Sequence, residues 1–191
     1  MSSLSVPPPD ALSSPESTAS RQHVSFPRLS ARTQRFTLGA PTSFTVSPDG
    51  QVVLFLRTPS GTDRTGLLWR LDVADGGEAV LAHPHDLLSG DAEDLPAAER
   101  ARRERMRNAG AGITAYSTDR ECRRVVVALS GRVFVVTVAD QAAVEIPTVG
   151  AAVDPRLSPD GQWVAYHCEG GLHVAPASGE ETGRAVVTPD S

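Results

Sequence analysis

Thr45-Val46-Ser47-Pro48-Asp49-Gly50-Gln51-Val52-Val53-Leu54-Phe55-Leu56-Arg57, TVSPDGQVVLFLR, is the stretch that decides the fold. Pro and Gly stand where a tight turn wants them, and the run that follows is β-branched and aromatic. It reads as strand, turn, strand. Upstream, Ser43–Val46 supplies the first strand; downstream come the polar turn 58–65, GLLWRLDV, the turn Ala74-Asp75-Gly76-Gly77 and EAVLA. The whole is a unit of four strands in about forty residues.

The unit recurs. Val153-Asp154-Pro155-Arg156-Leu157 runs into an identical turn, Ser158-Pro159-Asp160-Gly161, then QWVAYHCE, Gly170-Gly171 and LHVAPA. A weaker copy lies between, with Ile113–Tyr116 leading into Ser117-Thr118-Asp119-Arg120, RRVVVALS, Gly131, RVFVVTV and AAVEIP. Ser117 and Ser158 are 41 residues apart; Ser47 and Ser117 are 70 apart, which becomes 42 when the 28 non-strand residues 84–111 are left out. A four-stranded repeat of ~40–45 residues marks β-propeller blades. The predicted fold class is therefore all-β, a partial β-propeller of about three four-stranded blades with one inserted Arg-rich α-helix. The predicted blades are 43–83, 113–148 and 151–191, with the helical insertion at 94–109. Propellers have about four to eight blades, so three leave strand edges and blade faces open. A fragment of a longer protein is the expectation.

Ahead of the blades, residues 1–22 are predicted to be a disordered Pro/Ser-rich tail: the first twenty hold four prolines, seven serines and little to bury. Residues 23–42 read as an ordered lead-in that ends at Gly39-Ala40-Pro41. No apolar run approaches the ~20 residues of a transmembrane helix, and the N-terminus lacks a secretory pattern, so a cytoplasmic protein is expected. Cys122 and Cys168 fall in strand-like runs and read as buried free thiols. A net charge of −5 opposes a nucleic-acid coat. All eighteen Lys+Arg residues are arginine, read as a coding bias rather than a choice of bidentate chemistry.

Against this background the stretch 94–116, DLPAAERARRERMRNAGAGITAY, breaks pattern. Seven acidic residues and no Lys or Arg follow Arg70 up to Asp94; then come Arg100, Arg102, Arg103, Arg105 and Arg107 with Glu99 and Glu104. Asp94 reads as the N-cap, Pro96 as a first-turn residue, and Gly110 or Gly112 as the stop. Glu99–Arg103 and Glu104–Arg107 are the expected intrahelical pairs. Leu95, Ala98, Ala101 and Met106 make only a thin apolar stripe, so no face is expected to be deeply buried and the helix should bridge solvent or face charge.

RERMR (103–107) followed by GAGITAY (110–116) resembles the arginine-rich segment in the propeller of dipeptidyl peptidase IV-like serine peptidases of the prolyl oligopeptidase family, closest to the dipeptidyl peptidase 8/9 branch and its bacterial relatives. RTQRFTLGAPTSFTVSPDG (32–50) is similar to the start of that propeller, and the resemblance spans roughly Phe26 to the end. It implies a propeller that gates substrate and a C-terminal α/β-hydrolase domain with a Ser-Asp-His triad. The implied activity removes dipeptides with Pro or Ala second. One propeller arginine, Arg105 or Arg107, would contact the substrate carbonyl. The implied partners are the peptide substrate and the hydrolase domain, with homodimerisation of the full-length enzyme. The 191 residues hold no G-x-S-x-G nucleophile elbow, so no catalytic residue is assigned to them and they are expected to be inactive alone. Glu180-Glu181 reads as a hairpin turn rather than the family's amine-binding pair.

Other chemistry is thin. His83-Pro84-His85-Asp86 and His167/His173 lack metal-site spacing, and phosphate-cradling glycine motifs are absent, so neither metal nor cofactor is expected. The alternative to the enzyme reading is a propeller scaffold that binds a protein partner without peptidase activity.

Overall fold

The computed structural model describes residues 25–105 and 110–188, and the tail expected at 1–22 lies outside them. A short helix α1 (Phe26–Arg32) opens the described chain. Three antiparallel sheets follow in sequence order. The first is β1 (Thr42–Val46), β2 (Val52–Arg57), β3 (Thr65–Asp72) and β4 (Glu78–Ala82). Two helices, α2 (Pro84–Leu87) and α3 (Ala97–Arg105), and a two-residue strand β5 (Ala111–Gly112) separate it from the second. That second sheet is β6 (Ser117–Thr118), β7 (Arg124–Leu129), β8 (Arg132–Thr137) and β9 (Ala143–Ile146). The third is β10 (Val153–Leu157), β11 (Trp163–Cys168), β12 (Gly171–Pro176) and β13 (Arg184–Val187). The fold is all-β: three four-stranded blades with an Arg-rich helix inserted between the first two.

The middle blade shows why its strands read as unbroken apolar runs. Side chains alternate across a strand, and both faces of this blade are covered. Val125, Val127, Phe134 and Val136 pack with Leu54, Leu56 and Leu68 of the first blade. Val126, Val133 and Val135 pack with Val164, Tyr166 and Ala175 of the third. Each outer blade packs one face on the middle blade; on the first, Phe55 and Leu67 of the other face are buried as well. On the third, Trp163, Leu172 and Val187 stay exposed on the other side, and the alternation in Trp163–Cys168 is correspondingly clean.

Two turns follow one hydrogen-bonding plan. In the first, Ser47 Oγ donates to Asp49 Oδ1 and accepts from the Val52 N–H, while Asp49 Oδ1 also accepts from the Gln51 N–H. Ser158, Asp160, Trp163 and Gln162 repeat it atom for atom. The hydroxyl, then the backbone N–H, hold each carboxyl below its ordinary value. In the middle blade the place of the serine is taken by Asp119, not by a turn beginning at Ser117. Its N–H bonds the Arg124 carbonyl as Ser47 bonds Val52 and Ser158 bonds Trp163. Its single Oδ1 accepts from both the Arg123 and Arg124 N–H groups, replacing the Ser–Asp relay. Strand pairing agrees, since Ser117 faces Val126 as Thr45 faces Leu54 and Arg156 faces Ala165. The expected alignment of Ser117 with Ser47 and Ser158 is thus two residues out of register.

Gly183 is held by contact rather than by backbone angle. A Cβ built there would lie 2.0 Å from Tyr166 Oη. The Tyr166 ring is 1% exposed and stacks on His173, so it has nowhere to go. Gly183→Ala is expected to destabilise the third blade by about 1–3 kcal/mol, read as a lower midpoint in urea with unchanged slope. The acid limb of stability carries a second expectation. With both turn carboxyls lowered, their contribution is complete above the ordinary carboxylate range and is lost as pH falls through the lowered values. Asp49→Asn with Asp160→Asn should flatten that limb in pH-dependent unfolding; an unchanged limb would contradict the relay.

Candidate functional site

The segment 93–112 leaves the first blade and returns to it. Its outgoing end crosses to the middle blade, where the Asp94 N–H bonds Ser130 Oγ in the β7–β8 turn at 3.0 Å. Asp94 is therefore not the helix cap; the first helical bond runs from the Arg100 N–H to the Pro96 carbonyl, and the helix begins at Ala97. Its returning end pairs β5 in parallel with the start of β3. That approach needs glycine on both sides: a Cβ on Gly66 would stand 2.3 Å from the Ile113 carbonyl oxygen, and Gly112 has φ +71° and would meet the Gly66 oxygen. Beyond it Tyr116 seals the return, its hydroxyl donating within reach of the Ser43 carbonyl (2.5 Å) and the Leu54 carbonyl (3.0 Å) of the first blade. Burial pushes its phenol up.

α3 buries charge instead of apolar surface, contrary to the expectation that none of its faces would be deeply covered. Its buried side chains are Glu99 and Arg103, 7% and 5% exposed. Among the described residues Arg103 makes four hydrogen bonds: Nε to Glu99 Oε1 (2.9 Å), Nη1 to the Gly110 carbonyl (3.1 Å), and Nη2 to Glu93 Oε1 (2.8 Å) and to the Gly112 carbonyl (3.2 Å). Glu93 Oε2 in turn accepts the Gly112 N–H at 2.7 Å. The carboxylate thus joins the two ends of the arm to its buried cation. The predicted Glu99–Arg103 pair is present; the Glu104–Arg107 pair lies outside the described residues.

Arg102 points toward the third blade, its Nη1 donating to Glu99 and its Nη2 standing 3.7 Å from Asp154 Oδ1. Asp154 also pairs with Arg156 at 2.8 Å. Glu99, Arg102, Tyr116, Asp154 and Arg156 line a small cavity here, and with β5 paired to β3 the arm reaches all three blades at the end where their first strands begin. Of the two candidate substrate contacts, Arg105 is exposed at the last described turn of α3, and Arg107 lies outside the described residues. The sequence alone does not mark Arg103 or Glu93 as site residues. Their signal was weak, since Glu93 lay in an acidic run and two of the four acceptors are main-chain carbonyls.

The remaining candidates resolve locally. His83 caps α2, its Nδ1 accepting the His85 N–H at 3.1 Å. Glu180 and Glu181 are exposed in the β12–β13 turn. Among the described residues no group of three or more His, Cys, Asp or Glu is placed to hold a metal ion, and no helix is long and apolar enough to cross a membrane. Cys122 and Cys168 are buried free thiols, each pushed up chiefly by burial.

Breaking a buried ion cluster by removing one partner costs about 3–5 kcal/mol, whereas truncating an exposed side chain changes stability by within ~0.5 kcal/mol. Arg103→Leu is therefore expected to lower the unfolding midpoint strongly and Arg105→Ala hardly at all, compared side by side in denaturant titrations. Equal effects would contradict the buried role of Arg103.

No family model matches the chain. Among solved structures it is similar to a prolyl endopeptidase from a study of two such enzymes, at 13% identity and a TM-score of 0.53, covering 83% of this chain and 24% of that one. It is similar to the tricorn protease at 18% identity and a TM-score of 0.50, covering 79% of this chain and 13% of that one. TolB from Acinetobacter baumannii is 12% identical, with a TM-score of 0.47, covering 78% of this chain and 32% of that one. The chain thus spans between 13% and 32% of the length of these three proteins. At such identities the likeness to the prolyl endopeptidase and the tricorn protease is one of fold alone, and the fold is three blades of a β-propeller.

Proposed function

We propose that this chain is the substrate-gating, non-catalytic propeller part of a cytoplasmic serine exopeptidase of the dipeptidyl peptidase IV kind, nearest the dipeptidyl peptidase 8/9 branch. The whole enzyme releases N-terminal dipeptides with Pro or Ala in second position. The observation that carries this reading is the arm 93–112, an arginine-rich helix laid across the end of the blades with Arg105 exposed. Its place between the first two blades supports the resemblance of RERMR…GAGITAY to the family segment. A guanidinium is always charged and donates in a planar fork, so it suits the carbonyl oxygen of a bound peptide. Arg105 or Arg107 takes that contact, and a C-terminal α/β-hydrolase domain supplies the nucleophile. The whole enzyme is a homodimer in this reading.

A scaffold without peptidase activity is the second reading. In it a partner protein covers the exposed Trp163, Leu172, Val186 and Val187 of the third blade. The two readings part in one assay. The whole protein that carries this chain is expected to hydrolyse Ala-Pro and Gly-Pro p-nitroanilides with a free amine, and to ignore the N-acetylated forms. Arg105→Ala or Arg107→Ala should lower kcat/KM by roughly 10–150-fold, the equivalent of a charge-assisted hydrogen bond of about 1.5–3 kcal/mol. Absence of hydrolysis by the folded whole protein would leave the scaffold reading; unchanged kinetics in both variants would remove the arginine contact.

A further inference from the structure

Arg103 and Arg105 are two positions apart on α3, about 200° around the helix axis, so burying one turns the other outward. Among the described residues no apolar side chain of α3 is buried to hold it in place; Glu99 and Arg103 are its buried residues. The fork of Arg103 grips both helix and return strand, through Glu99 on one side and the Gly110 and Gly112 carbonyls on the other. Glu93 closes the base by holding Arg103 and the Gly112 N–H with its two oxygens. Arg102 then sets the direction of the arm by reaching Asp154 on the third blade.

We propose that Arg103 is a positioning residue: its buried fork, closed by Glu93 and Glu99, fixes the rotation and register of α3 and so sets the place from which Arg105 meets a peptide carbonyl. The second half of this rests on the peptidase reading; the first half does not. Arg103 touches no substrate itself. Its effect passes through the helix.

The test uses the whole protein and two readouts. Hydrogen exchange on Arg103→Gln is expected to show the amides of 97–105 exchanging at least about tenfold faster, with Val125–Val127 of the middle blade unchanged. Arg103→Lys, which keeps the charge and loses the fork, should fall between wild type and Arg103→Gln. Unchanged exchange in 97–105 would overturn the clamp, and so would equal acceleration in Val125–Val127, which would make Arg103 a general fold element. The second readout is a kinetic cycle on Ala-Pro p-nitroanilide. If Arg103 acts by placing Arg105, the Arg103→Gln/Arg105→Ala double variant loses no more kcat/KM than the worse single variant. Losses that multiply would overturn the positioning role. If Arg105→Ala alone changes nothing, Arg105 is not the contact and the positioning of it by Arg103 falls, while the exchange experiment still decides the clamp.

Discussion

A four-stranded blade has two faces, and only a neighbour on each side removes both from water. That constraint organises the chain. In β7 and β8 successive valines point to opposite sides, and both sides find a partner, Val125 and Val127 toward the first blade and Val126 toward the third. The two cores are separate clusters joined through one sheet. Loss of either outer blade would expose half of the middle blade at once, so each blade adds to the stability of its neighbour.

Much of this was legible because blade chemistry repeats. The SPDG turn is visible twice as letters, and it recurs as geometry, with a hydroxyl relaying between a carboxylate and the backbone N–H five residues on. Where the letters changed, reading failed by two residues. Asp119 does alone what Ser47 and Asp49 do together, because one carboxylate oxygen can accept two adjacent N–H groups. A spacing count anchored on serine could not see the substitution. The right anchor was the donor pair that every turn must satisfy.

The arm was legible as a helix and illegible as a packed one. An apolar stripe signals burial through its period, and α3 has almost none. What buries it is a guanidinium with carboxylate and main-chain acceptors, and carbonyls leave no trace in composition. An all-arginine cation set hid the case further. With no lysine for contrast, nothing in the letters distinguished Arg103, where a fork is required, from Arg105, which stands in solvent.

A charged clamp at this place has a physical logic that an apolar stripe lacks. Apolar packing is non-directional, and a helix resting on a smooth hydrophobic patch can slide or roll at small cost. Four acceptors arranged around a planar fork cannot be satisfied in two registers. Replacing a buried ion cluster by hydrophobic residues often leaves stability unchanged or improves it, so stability is a weak reason to keep one. Geometry is a better reason. A group that must meet a ligand has to be held within about 0.5 Å and 10–20° of its working position. An arm tied at its base by Glu93 and gripped by Arg103 is held there by directional bonds, and Arg102 adds a looser ion pair to Asp154 on the third blade. Such an arm gives up adaptability and gains a defined place for whatever its exposed face presents.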